Sequence, residues 1–470
     1  MTVEIIGLLS LIVGVASLFC PPSFIVYVFF ASTLLGSAAA FVLDSLGGSS
    51  LSPAQLLLGF TCLKLLSVQS IRKKSLLGIR IGLPGFWLLL LAIFAGLSAF
   101  FFPRLFAGQT YVFPIRFSKD AGSILLYPAA SNLTQTVYLG ADFVCFFLFY
   151  GFGSDPIRQQ QLRSAALMCV ILNLVFAVLD LATYATGTTE LLAFIRNASY
   201  RILNDDQVAG FKRIIGSFNE ASVFGFVTLG FFAYTSKLWL LGVRRKLSLT
   251  LSLLSLLALV FSTSTTAYVG FAAFFAFAYV ETMIRTLRSS ATIEATIFLI
   301  AVPLIVPIVG VALALNADTS AYIQSIGDQI IFNKLSSDSG IERSSWNAQA
   351  WQVFMDTSYL GAGNGSVRAS SFPVAVLANL GVIGVILFGL FFSGIFSTGK
   401  SRRFCDEAGR QAAQSACIAW LISETVSGAS TDLGLMFFAF AAMVCSSAET
   451  NGPPAQSGKT HPPLSVVRQP

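Results

Sequence analysis

Residues 293–315 read IEATIFLIAVPLIVPIVGVALAL, an apolar run in which Glu294 is the only charged side chain. A helix of about 20 apolar residues crosses the roughly 30 Å hydrocarbon core of a bilayer. The run therefore predicts a membrane-spanning helix. Working outward from it, similar runs recur along the chain in both directions, which predicts an all-α, polytopic integral membrane protein.

The composition agrees with that fold class. Of 470 residues, 55% are hydrophobic and 11% are charged, and the mean hydropathy is +0.77. Ordinary soluble domains are about a quarter charged. We predict about 12–13 transmembrane helices, each long enough to cross the bilayer. The predicted spans are 4–20, 23–43, 54–70, 83–103, 134–152, 164–187, 218–239, 247–263, 266–284, 293–315, 374–396, 411–428 and 431–447.

The spans predict a single transmembrane domain, residues 1–449, followed by a Pro- and Gly-rich tail, 450–470, that we expect to be disordered and cytoplasmic. The only histidine, His461, lies in this tail. No cluster of Cys and His has the spacing of metal ligands, so the sequence predicts neither a metal site nor another cofactor.

Most Lys and Arg residues lie in alternate connectors, which predicts that these connectors are cytoplasmic. The same bias accounts for the net charge of +7 without a nucleic-acid partner. Connectors 104–133, 188–217 and 316–373 then face outward, and so does the N-terminus. The basic connector residues are Arg72, Lys73, Lys74, Arg80, Arg158, Arg163, Lys237, Arg244, Arg245, Lys246, Arg285, Arg288, Lys400, Arg402, Arg403 and Arg410.

The outward connectors also carry basic residues, against the usual bias. Two such connectors on one face predict an anion site. The alternative is that these residues bind lipid headgroups or pair with Asp205, Asp206, Asp338 and Glu342. The residues concerned are Arg196, Arg201, Lys212, Arg213, Lys334, Arg343 and Arg368.

One outward connector ends in a helix-start pattern. Ser217 is followed three residues later by Glu220 and then by an apolar run, which is typical of a capping box. A helix N-terminus there, with Arg213 beside it, would present N–H groups and positive charge to a phosphate.

The long connector, 316–373, is the largest polar insert in the chain. Ser344 and Ser345 are positioned to cap a short helix over 346–357, with Arg343 just before its first turn. That helix would bury one face against the membrane interface or the protein. The run Gly361–Gly365 follows no strand, so it predicts a turn with close backbone approach rather than a dinucleotide motif. The residues of the buried face are Trp346, Ala350, Val353 and Phe354.

Asp180 lies within a predicted span, where a carboxylate is costly. It is expected either to pair with an arginine or line a polar cavity, or to lie on a substrate path.

These segments together resemble the O-antigen ligase and polymerase superfamily. The resemblance covers about residues 200–396 and is strongest where the last glycine-rich stretch runs into a span. It is carried by Arg213-Ile-Ile-Gly-Ser-Phe-Asn219, by Phe261-Ser-Thr-Ser-Thr265, and by the order Arg343, Trp346, Trp351, Gly361-Ala-Gly-Asn-Gly365, Leu377-Ala-Asn-Leu-Gly-Val-Ile-Gly384.

The resemblance implies a metal-independent glycosyltransferase of the bacterial inner membrane, acting at the periplasmic face. Its donor and acceptor would be glycans linked to undecaprenyl pyrophosphate, and its other partners membrane lipids and a chain-length regulator. Arg213 and Arg343 match the two loop arginines that hold the lipid pyrophosphate in the family. We place Lys212, Asn219 and Arg368 in the same predicted anion site.

Two departures from the family pattern bear on the reaction. Family ligases carry a histidine near the position of Ser370, and Ser358 replaces a frequent proline. Loss of an imidazole base costs about 10²–10⁴-fold in rate, which favours a repeat-unit polymerase over a ligase.

In that reaction a sugar hydroxyl attacks an anomeric carbon, and a lipid pyrophosphate leaves. Positive side chains must stabilise the leaving group, and a carboxylate could take the proton. The candidate bases are Glu220, Glu342, Asp338 and Glu424. The alternatives are a ligase-like transferase to a lipid or protein acceptor and, third, a flippase or exporter of lipid-linked oligosaccharides.

Overall fold

The computed structural model describes residues 2–43, 49–115, 122–198, 207–208, 211–288, 292–315, 338–396 and 406–446. Across these residues the protein is all-α apart from three small antiparallel sheets. Residues 316–337 of the predicted long connector, Lys334 included, and the predicted tail 450–470 lie outside the described residues.

The helices follow one another with short connections. In chain order they are α1 (Ile5–Phe19), α2 (Pro22–Ser32), α3 (Pro53–Ser67), α4 (Gln69–Gly78), α5 (Pro84–Leu105), α6 (Ala130–Phe152), α7 (Pro156–Ala185), α8 (Ala221–Leu240), α9 (Arg245–Phe261), α10 (Thr265–Arg288), α11 (Ile293–Leu315), α12 (Asp338–Asp356), α13 (Phe372–Phe396), α14 (Glu407–Ser427) and α15 (Leu435–Cys445). A 3₁₀ helix covers Thr189–Ile195.

The strands are short and lie in the connectors. In β1–β3, the middle strand pairs with both neighbours, and the other four strands form two hairpins. The strands are β1 (Thr2–Val3), β2 (Phe41–Leu43), β3 (Ser49–Leu51), β4 (Tyr111–Val112), β5 (Ile124–Leu125), β6 (Gln207–Val208) and β7 (Phe211–Lys212).

The predicted fold class, an all-α polytopic membrane protein, is confirmed. Among the described residues six helices are long and apolar enough to cross a membrane, namely α5, α6, α7, α8, α10 and α13. The pair α3 and α4, bent by 107°, would add a seventh. Every predicted span overlaps a helix, but several of these helices are short, so the count of about 12–13 crossings stays a prediction.

The predicted span 23–43 is wrong beyond its first half. Helix α2 ends at Ser32, and the chain then runs through a buried irregular segment into β2. Ser37 fixes this segment, since its hydroxyl donates a hydrogen bond of 2.8 Å to the carbonyl of Ser217. An apolar run alone cannot distinguish a helix from a buried segment whose polar groups are satisfied elsewhere.

Helix α8 is largely buried inside the bundle and packs closely on α9 and α14. A Cβ at Gly230 would lie 2.0 Å from the indole of Trp420, so only glycine allows this approach. The Trp420 and Phe440 rings are 5.0 Å apart, and Tyr234 lies 5.4 Å from Phe440. Helices that are apolar on all sides are buried in this way.

Ion pairs join the ends of four helices at one face of the bundle. Arg163 lies 2.7 Å from Asp406, and Glu281 accepts from Lys237 and Arg285, each at 2.8 Å. The connectors that the sequence groups together as basic therefore do lie together. The compartment they face stays a prediction.

Candidate active site at the loop face

The other end of the bundle, which we call the loop face, is built from residues 106–115, 211–220 and 338–371. The run Gly361–Gly365 forms its buried floor. A Cβ at Gly363 would lie 2.6 Å from the carbonyl oxygen of Ser98, and one at Gly365 would lie 2.5 Å from that of Ser131. Both glycines have positive φ, +96° and +82°. The predicted turn with close backbone approach is confirmed.

Buried amide side chains hold this floor in place. The Asn379 carbonyl oxygen accepts from the backbone N–H groups of Ser366 and Val367, both at 3.0 Å. The Asn132 amide donates to the carbonyl of Asn364 at 2.8 Å. Irregular backbone deep in a membrane protein needs such partners, because lipid supplies none.

Helix α12 begins at Asp338, earlier than the predicted 346, so the predicted cap at Ser344 and Ser345 is wrong. The hydroxyl of Ser345 instead donates a hydrogen bond of 2.7 Å to the carbonyl of Glu342, as a serine can inside a helix. Arg343 consequently lies within α12. The predicted buried face is confirmed, since Trp346, Ala350, Val353 and Phe354 are all buried.

The connector after α5 anchors α12. The Thr110 hydroxyl donates a hydrogen bond of 2.6 Å to the carboxylate of Asp356, and the Gln349 amide donates one of 2.7 Å to the carbonyl of Tyr111. The backbone N–H of Arg368 donates a hydrogen bond of 2.8 Å to the carbonyl of Phe113. These bonds fix the position of Arg368 relative to α12.

The Arg368 guanidinium stacks on Trp346, with its central carbon 4.0 Å from the ring centre. Within the described part of the chain its Nε has no hydrogen-bond partner. Burial lowers the pKa of Arg368, whereas the carboxylates of Glu342 and Glu220 raise it and Arg343 lowers it. An arginine stays protonated through such shifts.

Three of these residues, Glu342, Glu220 and Arg343, each lie within electrostatic reach of the fourth, Arg368, and the four come from three segments. We call them the charged cluster. Arg343 and Glu342 are half-buried, and the described residues form no ion pair with either. The hydroxyl of Ser222 donates a hydrogen bond to the Glu220 carboxylate.

The predicted capping box at Ser217 is wrong. Helix α8 begins at Ala221, and its N-cap is Glu220, whose side chain makes no capping hydrogen bond to the backbone. Ser217 is buried, and its hydroxyl donates a hydrogen bond of 2.6 Å to the carbonyl of Leu34. Ser217 lies in a turn with Gly216, whose φ is +57°, and residues 218–220 are not yet helical.

Buried Asp180 explains this local structure. Its carboxylate lies 2.7 Å from Arg196 and 3.5 Å from Lys212, and accepts from the N–H groups of Ile215 and Gly216 at 2.8 and 3.2 Å. The expected pairing of Asp180 with an arginine is confirmed. Lys212 is turned toward this acid, so we leave it out of the charged cluster.

The remaining predicted site residues lie around the cluster. Arg213 and Asn219 are half-buried in the segment that leads to Glu220. Asp338 is the first residue of α12, and its side chain lies outside what the structure describes. For these residues the predicted roles stay predictions.

Both departures from the family pattern have a local physical account. Ser370 is buried, and its N–H donates 2.7 Å to the side chain of Asn347. Ser358 has φ of +51°, a conformation closed to proline, whose ring fixes φ near −65°. The turn after α12 therefore requires a residue other than proline.

The structure also contains a cavity with two carboxylates that the sequence analysis did not predict. This cavity, of about 230 Å³, lies between α3, α6, α8 and the segment 428–434. Two carboxylates line it, those of Asp142 and Asp432. The other lining residues are Thr33, Ser52, Ala54, Gln55, Tyr138, Ala141, Phe226, Val227, Leu433, Gly434, Leu435 and Met436.

A third acid, the candidate base Glu424, lies within electrostatic reach of Asp432 but does not line the cavity. Its carboxylate packs so tightly against Gly428 that a Cβ there would be 2.4 Å away. A signal existed in the sequence, because Asp142 is the only charged residue of α6.

Neither the sequence, compared with family models and curated proteins, nor the structure, compared with solved structures, finds a match.

Proposed function

We propose that this protein is a membrane glycosyltransferase that polymerises oligosaccharide repeat units linked to undecaprenyl pyrophosphate, as an O-antigen or exopolysaccharide polymerase does. We place the reaction at the periplasmic face of a bacterial inner membrane. The charged cluster is the observation that carries the proposal.

The cluster suits a diphosphate leaving group. Guanidinium groups bind phosphate oxygens with paired, charge-assisted hydrogen bonds. Arg368 is oriented by Trp346, and Arg343 has no carboxylate partner among the described residues. Negative charge that develops as the glycosidic bond breaks would meet these fixed positive groups, which is the largest catalytic term in many enzymes.

The same cluster supplies candidate bases. Glu342 precedes Arg343 on α12, and Glu220, the N-cap of α8, also lies within electrostatic reach of Arg368. In the proposed reaction an acceptor hydroxyl gives its proton to one of these carboxylates. Its oxygen bonds to the anomeric carbon, and the bond to the lipid diphosphate breaks with the electron pair leaving on the phosphate oxygen.

The test is reconstitution without added metal. Purified protein in lipid nanodiscs would receive lipid-linked repeat units extracted from cells that lack it, and the products would be separated by size. We expect a ladder from the wild type and single repeat units from Arg213→Ala, Arg343→Ala and Arg368→Ala. Arg72→Ala is the matched control, because Arg72 is exposed on α4.

Two results would overturn the proposal: no ladder from folded wild-type protein, or ladders of normal length from all three arginine variants. Full-length polymer in cells that fail to attach it would point instead to the ligase-like alternative.

The cavity with its two carboxylates favours a second candidate, a flippase or exporter, because buried acids often mark transport paths. That function predicts that cells lacking the protein keep repeat units on the cytoplasmic leaflet. The polymerase predicts single repeat units on the periplasmic leaflet.

A further inference from the structure

The cavity lined by Asp142 and Asp432 reaches well into the bundle. Asp142 lies about 18 Å along α6 from its first residue, at 1.5 Å per residue. Helix α15 has only 11 residues, so it spans about 16 Å, half of a bilayer core. The first turn of α15 lies beside α6 one turn beyond Asp142, because the Cys145 thiol donates a hydrogen bond of 3.3 Å to the carbonyl of Leu435.

The segment 428–434 between α14 and α15 is therefore irregular backbone at depth. Such backbone is tolerated only where protein buries it or where it lines a polar cavity. Here it carries Asp432, whose carboxylate accepts from the N–H of Gly434 at 2.7 Å. The fold thus interrupts a helical path to place a carboxylate in this cavity.

One oxygen of the buried Asp142 carboxylate has no hydrogen-bond donor among the described residues. The side chain is 1% exposed, and no described group donates a hydrogen bond to its Oδ2. The Asp432 carboxylate lies close enough to share a hydrogen bond with it. Two facing carboxylates cannot both stay charged, so the pair needs a shared proton or donors from a ligand.

The other residues that line the cavity limit the chemical class of ligand that it could bind. Thr33, Gln55 and Tyr138 add hydroxyl and amide groups, Phe226 adds an aromatic wall, and no Lys or Arg among the described residues lines the cavity. Phosphate and other anions are thereby disfavoured. No group of three or more His, Cys, Asp or Glu side chains converges among the described residues, which disfavours a metal ion.

The size suits a small, hydroxyl-rich molecule. About 230 Å³ is less than the roughly 300–1,000 Å³ of pockets for drug-sized ligands, yet several times the roughly 30 Å³ of one water. Hydroxyl groups donate to carboxylates in strong, charge-assisted hydrogen bonds, and they also accept from amides such as Gln55.

We propose that this cavity binds one sugar ring of a glycan, with the Asp142–Asp432 pair accepting hydrogen bonds from its hydroxyl groups. The choice of a glycan rests on the proposed function. Segment 428–434 also links the cavity to the loop face, since Thr431 donates 2.7 Å to Asn364 and the N–H of Ala369 donates 3.4 Å to the carbonyl of Ala429. A sugar held here lies on the segment that also contacts the neighbours of Arg368.

The test uses a glycan that cannot engage the arginines. The oligosaccharide repeat unit would be released by mild acid from the lipid carrier of cells lacking this protein, which removes the diphosphate. Its binding to the full-length protein in nanodiscs would be followed by saturation-transfer NMR and titration. We expect binding by the wild type and by Arg343→Ala, and at least tenfold weaker binding by Asp142→Asn and Asp432→Asn.

Two further variants guard against misfolding as the cause. An asparagine can donate to the remaining carboxylate, so both Asn variants should melt at or above the wild-type temperature. Ala54→Phe keeps both carboxylates but fills the cavity that Ala54 lines, and should also abolish binding. Glu190→Gln, at an exposed acid away from the cavity, is the matched control.

The inference is overturned if the wild type does not bind the released glycan, or if binding survives both Asn variants and Ala54→Phe. Protection against thermal unfolding by sodium ions, lost in Asp432→Asn, would also overturn it in favour of a cation site. The proposed function fails separately, when protein that binds this glycan makes no polymer from the intact lipid-linked unit.

Discussion

Arg196, beside the loop face, and the arginines of the charged cluster differ in their surroundings. Arg196 is buried against Asp180 at 2.7 Å, and that carboxylate also accepts two backbone N–H groups. Arg368 instead stacks on an indole and has Arg343 within electrostatic reach. Arg196 is committed to a buried ion pair, whereas the guanidinium groups of the charged cluster stay available to bind an anion.

This difference separates a structural role from a binding role. The Asp180 carboxylate is committed to Arg196 and to two backbone N–H groups, and breaking such a buried ion pair costs stability. Positive groups held by an aromatic ring keep their hydrogen-bonding capacity for an anion. Sequence position alone does not separate the two, because all of these arginines lie in predicted outward connectors.

The largest expected effect is on stability, when the buried ion pair between Asp180 and Arg196 is broken. Asp180→Ala leaves the Arg196 guanidinium buried without its carboxylate, which costs about 3–5 kcal/mol. We expect a fall of the thermal unfolding midpoint in detergent and low yield of folded protein. Glu190→Ala, the same change at an exposed acid, should leave the midpoint unchanged. Equal midpoints for both variants would contradict the structural role of Asp180.

The next effect is on catalysis, at the charged cluster. Arg343→Ala removes a half-buried cation that has no ion pair among the described residues, so the fold should tolerate it. Removal of one group that stabilises transition-state charge lowers kcat about 10²–10³-fold. Rates of ladder formation in nanodiscs measure this, and thermal unfolding shows whether the protein stays folded. A variant that loses activity only together with stability would place Arg343 with Arg196, as a structural residue.

A smaller effect is expected at the floor beneath the cluster. Gly363→Ala forces a Cβ toward the Ser98 carbonyl at a φ of +96°, and such strain costs about 1–3 kcal/mol. Gly389→Ala is the control, because nothing lies within 4 Å of the position that its Cβ would take. Replacing glycine by alanine inside a helix stabilises it by about 0.5–1 kcal/mol. We therefore expect the two midpoints to move in opposite directions, and a shift in the same direction would contradict the floor's geometry.

The sequence predicts the helical fold well because apolar runs have a direct physical meaning in a membrane. Every predicted span overlaps a helix, and the buried face of α12 follows from its periodicity. Apart from the second half of the predicted span 23–43, the predictions that failed rest on local polar patterns. Ser217, Ser344 and Ser345 all match helix-cap patterns, but their surroundings decide otherwise.

The site is predictable in part for a similar reason. Arg343, Glu342, Glu220 and Arg368 are named from the sequence, and the first three lie within electrostatic reach of Arg368, while their roles stay predictions. Asp142 and Asp432 are about 290 residues apart in the chain, and no local pattern links them. A contact between distant segments requires the fold.

The smallest effect tests how Arg368 is oriented. Trp346→Leu removes the ring 4.0 Å from the guanidinium, an interaction worth about 0.5–2 kcal/mol. At 1.4 kcal/mol per tenfold, the KM for the lipid-linked repeat unit should rise about 2- to 30-fold with little change in kcat. Trp351→Leu changes the same residue type on the same helix, but that ring is 50% exposed and its loss should leave KM unchanged. If the two variants shift KM equally, the stacked ring does not position Arg368, and the charged cluster would then be held by its backbone contacts, among them the bond from the Arg368 N–H to Phe113.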